Sequence, residues 1–256
     1  MGRNKLKETL AFVLGIILIG CLIRAAGLIK NDRLVFPDVF EILRAFFRLV
    51  RTPRTYALIW TTLRHLLGAL ALSTLIALPI GLAEGFSDFI RSLFRPLMVM
   101  LRSIPMVVLV VIIMVLTKYE RVPLIGTSLI LIPIISEAAC EGCRRIDPDL
   151  VDVYRMNSGF SPQVLFSVYI PMMAGYLKQA YISSVGMGVK LVVSTEYLVQ
   201  TKNSLGKAVN TSIYFNEYAE IYAYALIMIL LVVMVSEAPL LISRAADRLS
   251  KRKYEQ

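Results

Sequence analysis

The sequence predicts an all-α integral membrane protein of about six transmembrane helices, with a cytoplasmic helix-turn-helix loop and an amphipathic helix along the interface. The first observation is composition: 57% of the residues are hydrophobic and 18% charged, where ordinary globular domains run at about 45–50% and about 25%. The second is a mean hydropathy of +0.68, more apolar surface than one compact core can hide, so lipid must solvate much of it. The third is a series of apolar stretches, each close to the roughly 20 residues that a bilayer core about 30 Å thick requires. A chain of 256 residues has room for one domain or two small ones. Cys21, Cys140 and Cys143 are too few and too unevenly spaced for a secreted disulfide framework. The net charge of +10 fits basic residues flanking membrane spans. No nucleic-acid recognition module is visible, so no nucleic-acid partner is expected.

The N-terminal segment, residues 1–30, holds a first span from Leu10 to Ile29. Arg24 sits awkwardly for a cleavage site at Ala25-Ala26-Gly27, and further spans follow, so this segment reads as a retained helix and not a signal peptide. In residues 31–56, Phe36-Pro37-Asp38 opens a run with Phe40, Ile42, Leu43, Phe46, Phe47 and Val50 as apolar positions. Arg44, Arg48 and Arg51 fall on another face, the pattern of a helix lying in the membrane interface. The core, residues 57–243, carries spans at about Ala57–Ala83, Leu97–Thr117, Pro123–Ala139, Pro171–Gln200 and Ile221–Ser243. The fourth span, Pro123–Ala139, is short and suits the inside of a bundle. Residues 244–256 form a basic tail. Once the interfacial helix is set aside, Lys and Arg concentrate near the start, at Arg91 and Arg95, at Arg144, Arg145 and Arg155, and in the tail, which predicts cytoplasmic N- and C-termini.

The segment 144–170 is the most informative. Asp147 before Pro148 and Ser161 before Pro162 each pair a capping side chain with the residue best tolerated at a helix's first position. Ser158-Gly159 lies where the first of these two helices must stop, and Pro171 marks the entry to the fifth span. The order Asp147-Pro148-Asp149-Leu150, acidic Asp152, Arg155, a Ser-Gly turn and then Ile170-Pro171 resembles the EAA loop of type I ABC-importer permeases. The similarity is greatest to the branch handling nitrate, taurine and aliphatic sulfonates. Phe36-Pro37 with Glu41-Ile42-Leu43, Thr62-Leu63-Arg64 through Pro79-Ile80-Gly81-Leu82, Leu101-Arg102-Ser103-Ile104-Pro105 and Val192-Val193-Ser194-Thr195-Glu196 extend the resemblance over most of the chain. The loop departs from that family in carrying Asp152-Val153-Tyr154 for Glu-Ala-Ala, with Ser158 where a Gly is usual and Gly159 one place late. Glu137-Ala138-Ala139 has the letters of the motif but lies at the end of the fourth span.

The resemblance implies a permease subunit, a multi-pass protein of the cell's inner membrane and not an enzyme. It further implies partners: two copies of an ABC ATPase, a second permease chain (a homodimer is expected), an extracytoplasmic solute-binding protein and membrane lipid. Asp152, Tyr154, Arg155, Asn157, Ser158, Gly159, Phe160 and Pro171 would form the ATPase-coupling surface. ATP and Mg would belong to the ATPase, since this chain has no G-x-x-x-x-G-K-[ST] phosphate cradle, and no cofactor is expected in it. The implied cargo is a small solute of the sulfonate, nitrate or vitamin-precursor kind.

Ionisable residues at membrane depth are costly and usually face a bundle interior or water. Arg102, Lys190 and Glu196 are therefore the pathway candidates, with Arg64 and Lys178 also in spans. Lys190 lies deep in the fifth span after Gly186-Met187-Gly188-Val189, where a cation beside small residues would favour an anionic solute. It could instead pair with Glu196 or Glu237, or snorkel to an interface. Arg102 could gate the pathway or pack the kink at Pro105. Lys178 and Glu196 share a helical face at 3.6 residues per turn. His65, the lone histidine, reads as a satisfied structural residue. Cys140-Glu141-Gly142-Cys143 lacks the second ligand pair that a zinc site needs. Two rivals are an ion-gradient-driven secondary carrier, which should show inverted repeats, and a membrane scaffold subunit of a vitamin-uptake complex, which should show two Arg-bearing coupling motifs where only Arg155 stands in such a setting.

Overall fold

The computed structural model describes residues 37–146 and 169–254, with side chains described up to Ser236. The first predicted span, Leu10–Ile29, the coupling residues Asp152, Tyr154, Arg155, Asn157, Ser158, Gly159 and Phe160, and the side chain of Glu237 lie outside the described residues.

Among the described residues every regular element is helical. Helix α1 (Val39–Arg51) starts where the Glu41 carboxylate accepts the Asp38 N–H at 3.2 Å, which satisfies a donor that no helical carbonyl can reach. It seats Ile42, Ala45 and Leu49 on the bundle and leaves Phe40, 84% exposed, and Phe47 facing outward. Arg48 ties it to Glu220 at 2.6 Å. The arginines and outward aromatics thus flank a narrow packing stripe, as an interfacial helix requires.

Helix α2 (Pro53–Phe86) begins with Pro53 in its first turn and runs 34 residues, about 50 Å at 1.5 Å per residue. It therefore extends past the predicted span at both ends. Helix α5 (Val122–Arg144) lies between α2 and α6 (Ile170–Val199) and is the most buried of the candidate spans, the packing expected of the fourth span. Small residues let α2 and α5 approach: a Cβ on Gly81 would meet the Ser136 carbonyl oxygen and lie 2.7 Å from Ala139 Cβ. Helix α7 (Leu205–Tyr214) folds back over the end of α6, and α8 (Tyr218–Tyr254) returns along the bundle.

The predicted third span, Leu97–Thr117, is not one helix. Residues 97–103 belong to α3 (Asp88–Ser103), and α4 (Met106–Leu116) leaves it at 104°. Pro105 disfavours helical geometry at the residue before it, and Ile104 is extended at φ −66° and ψ 126°. The described residues contain four helices long and apolar enough to cross a membrane, or five if the bent α3–α4 pair is one crossing.

Candidate functional site

Two gatherings of polar side chains bear on the sequence-predicted pathway residues, one near each end of the bundle. The first is a groove between α3 and α5, close to the end from which the 147–168 segment leaves. Ser87 caps α3 by accepting the Ile90 N–H at 3.4 Å. From that start, spacings of three, four and seven put Asp88, Arg91, Arg95 and Arg102 on the side of α3 that meets α5. The groove encloses about 500 Å³, and Glu84, Glu137 and Glu141 complete its charged lining.

Two arginines staple this groove. Arg102 donates to the Pro133 carbonyl at 2.9 Å and to the Glu137 carboxylate, and Arg144 donates to Asp88 at 2.6 Å. Because the low-numbered end of α3 meets the high-numbered end of α5, the helices are antiparallel, and residues 91–95 lie between the staples opposite 140–141. Glu84 is 6% exposed and accepts the Ser136 hydroxyl at 3.1 Å. Arg91 and Arg95 are exposed and make no hydrogen bond or ion pair with a described residue.

The second gathering is a closed clamp at the far end of α6. The Glu196 carboxylate is fully buried and meets His65 Nδ1 at 2.7 Å, the Thr62 hydroxyl at 2.9 Å and the Gly206 N–H at 3.2 Å. Thr62 in turn accepts the Leu205 N–H at 3.1 Å. An anion at the first turn of α7 satisfies N–H groups that lack helical partners, so one side chain joins α6, α2 and α7. Gly206 is required there, because a Cβ would lie 2.5 Å from the Val193 carbonyl oxygen and 2.6 Å from the Tyr197 nitrogen. Gln200, left-handed at φ 57°, ends α6 and lets the chain turn back.

Of the sequence-predicted pathway residues, Arg102 lines the groove, Lys190 is exposed on α6, and Glu196 lies in the clamp. The structure does not bring the three together. Glu196 has no free face for a solute, because three donors and the packing of α7 enclose it. Lys190 does not pair with it, since His65 holds that position. Lys178 and Glu196 share a face by periodicity but not an environment: α7 covers the Glu196 end of α6, while Lys178 is exposed. Arg64 is exposed beside its buried neighbour His65.

Pro171 stands in the first turn of α6 and is exposed. The two residues that bracket the undescribed segment, Ile146 and Tyr169, are both buried in one cluster with Leu82, Ala139, Cys143, Met173 and Leu177. Phe86 packs edge-on against Tyr169 at 5.0 Å, and Arg145 lies 5.7 Å over the Tyr176 ring. Cys140 and Cys143 are buried free thiols, and no metal-holding set of His, Cys, Asp or Glu occurs among the described residues.

Sequence reasoning missed the groove. Arg91 and Arg95 read as loop charges between two spans, and the signal that could have found them is the Ser87 cap followed by charges at helical spacing. A family model described as binding-protein-dependent transport system inner membrane component matches residues 73–252, from the middle of α2 to the end of α8. No curated relative matches the chain.

Proposed function

Because the chain belongs to the family of inner membrane components of binding-protein-dependent transport systems, the permease subunits of ABC transporters, we propose that two copies of it form the pathway for a small anionic solute. As a permease it catalyses no reaction. Two ATPase subunits grip the 144–170 loop, an extracytoplasmic binding protein delivers the solute to the α7 end, and both termini lie in the cytoplasm.

The single observation that carries this reading is the anchoring of the loop. Ile146 and Tyr169 are buried in one cluster that also contains Leu82 of α2, Cys143 of α5 and Met173 of α6. A close-packed interior has little slack, so a displacement applied to the loop reaches three helices together. ATP-driven closure of the partner ATPases, acting on Asp152, Arg155 and Gly159, therefore tilts α2, α5 and α6 and alternates the side on which the pathway opens. Arg102 and the exposed Lys190 supply the positive charge that draws an anion into that pathway.

The test is the double substitution Arg155→Glu and Gly159→Glu, with the chain expressed beside its ATPase and binding protein. The expected outcome is loss of ATPase co-purification and of solute uptake into proteoliposomes, with the permease still inserted. Unchanged co-purification and uptake would overturn the docking role.

A further inference from the structure

We infer that the elbow where α1 meets α2 and α8 binds one anionic phospholipid, its headgroup at the α7 end and an acyl chain along α8. This goes beyond the permease reading and uses only the chain's place in a membrane. Two neighbouring cavities form the elbow. One encloses about 610 Å³, with Arg48, Arg54, Lys202, Lys207, Glu217 and Glu220 as its charged lining. The other encloses about 230 Å³ and is walled by apolar groups, among them Phe46, Val50, Tyr56, Ile59, Leu230 and Met234. Thr55, in the first turn of α2, lines both. Its hydroxyl bonds no described residue, although only 3% of the residue is exposed.

Charge selects the headgroup. Arg48 is taken by Glu220 at 2.6 Å, and Glu220 also accepts the Ser212 hydroxyl at 3.2 Å. Arg54, Lys202 and Lys207 make no hydrogen bond or ion pair with a described residue, and in the lining only Glu217 stands against them. Three cations against one carboxylate leave two positive charges, which a phosphodiester answers through charge-assisted hydrogen bonds.

Depth selects the tail. Along α8 the lining changes from Glu217, Glu220 and Tyr224 to Ile227, Leu230 and Met234, polar to apolar in the order that a lipid itself follows. Ile227 to Met234 rises about 10 Å, within the roughly 15 Å that one leaflet contributes to a core about 30 Å thick. Tyr56 and Trp60, 59% and 64% exposed and one turn apart on α2, mark the headgroup level at which such rings collect. A soluble anion would use only the first cavity, and a soluble protein would have to seat its own surface in the apolar second one. A lipid fills both.

Trp60 is the chain's single tryptophan and stands one turn beyond Tyr56, so its fluorescence reports on lipid at this elbow. The full chain is reconstituted in phosphatidylcholine bilayers with a minor fraction of phosphatidylglycerol, and one lipid or the other carries brominated acyl chains as quencher. Brominated phosphatidylglycerol should associate about fivefold more tightly than brominated phosphatidylcholine, the worth of one basic side chain beside an anionic headgroup. Arg54→Gln, Lys202→Gln and Lys207→Gln together should bring that ratio below about twofold. Unchanged quenching by brominated phosphatidylcholine reports that this variant has folded, and the unaltered chain tests the preference by itself. Millimolar glycerol phosphate, the headgroup chemistry without chains, should leave the ratio as it was. Equal association of the two lipids, or indifference to the three substitutions, would overturn the inference. Loss of the preference to glycerol phosphate would also overturn it, by making the site one for a soluble anion. If the ratio is near one and the same substitutions release the binding protein, the surface belongs to that partner and the lipid site falls.

Discussion

The clamp at the α7 end and the groove at the loop end are built from the same kinds of residue and use them in opposite ways. Glu196 is 0% exposed and surrounded by His65, Thr62 and the Gly206 N–H, so every bond the carboxylate needs is made within the chain. The Arg102 and Glu137 side chains are 42% and 56% exposed, and Arg91 and Arg95 have no bonded partner among the described residues. A buried polar group must be satisfied at home because no water reaches it, whereas an open one keeps bonds to offer. Charge at membrane depth is therefore not by itself evidence of a pathway. The difference between these regions is whether bonding capacity remains.

The comparison breaks most visibly at Glu196. Glu196→Ala leaves Thr62, His65 and the Gly206 N–H without their acceptor and should cost about 3 kcal/mol or more. A thermal-inactivation scan of the purified complex reads this as a large drop in midpoint. Full stability with uptake abolished would reverse the assignment and return Glu196 to the pathway. Gly206→Val comes next, at about 1–3 kcal/mol from overpacking, because the new Cβ meets backbone atoms of α6 that cannot turn aside. The same scan checks it, and an unchanged midpoint would mean that α7 is not docked on α6 as described.

Much of the helical framework was legible in the sequence because its signals are local. The amphipathic pattern of α1 and the apolar runs of α2, α5 and α6 each depend on neighbours within a few residues, and the Ser87 cap of α3, equally local, was passed over. The break at Pro105 was half legible. Pro79, Pro96 and Pro133 sit inside helices, and what differs at Pro105 is that both it and Ile104 are extended. The site was less legible because its partners are distant in the chain. His65 and Glu196 are 131 residues apart and Arg144 and Asp88 are 56 apart, and no periodicity within one helix announces which distant residue will face it. Lys178 and Glu196 make the same point from the other side, since periodicity aligns them and packing separates their fates.

The smallest stability effect should come from Arg102, and it is the one that sharpens the comparison most. Its ion pair with Glu137 is about half exposed, so solvent screens it and its removal should change stability by about 0–1 kcal/mol. Its role in the groove is larger than its role in holding the fold, because the same guanidinium pins α3 to the Pro133 carbonyl just before the chain bends through 104°. Arg102→Met should thus leave the inactivation midpoint of the complex nearly unchanged while lowering uptake several-fold, since losing one charge-assisted bond corresponds to about a tenfold effect at most sites. Arg102→Gln, whose amide still reaches a carbonyl, should fall between Arg102→Met and the unaltered chain. If Arg102→Met instead unfolds the complex as severely as Glu196→Ala does, the groove's staple is structural in the same sense as the clamp, and the contrast between the two ends disappears.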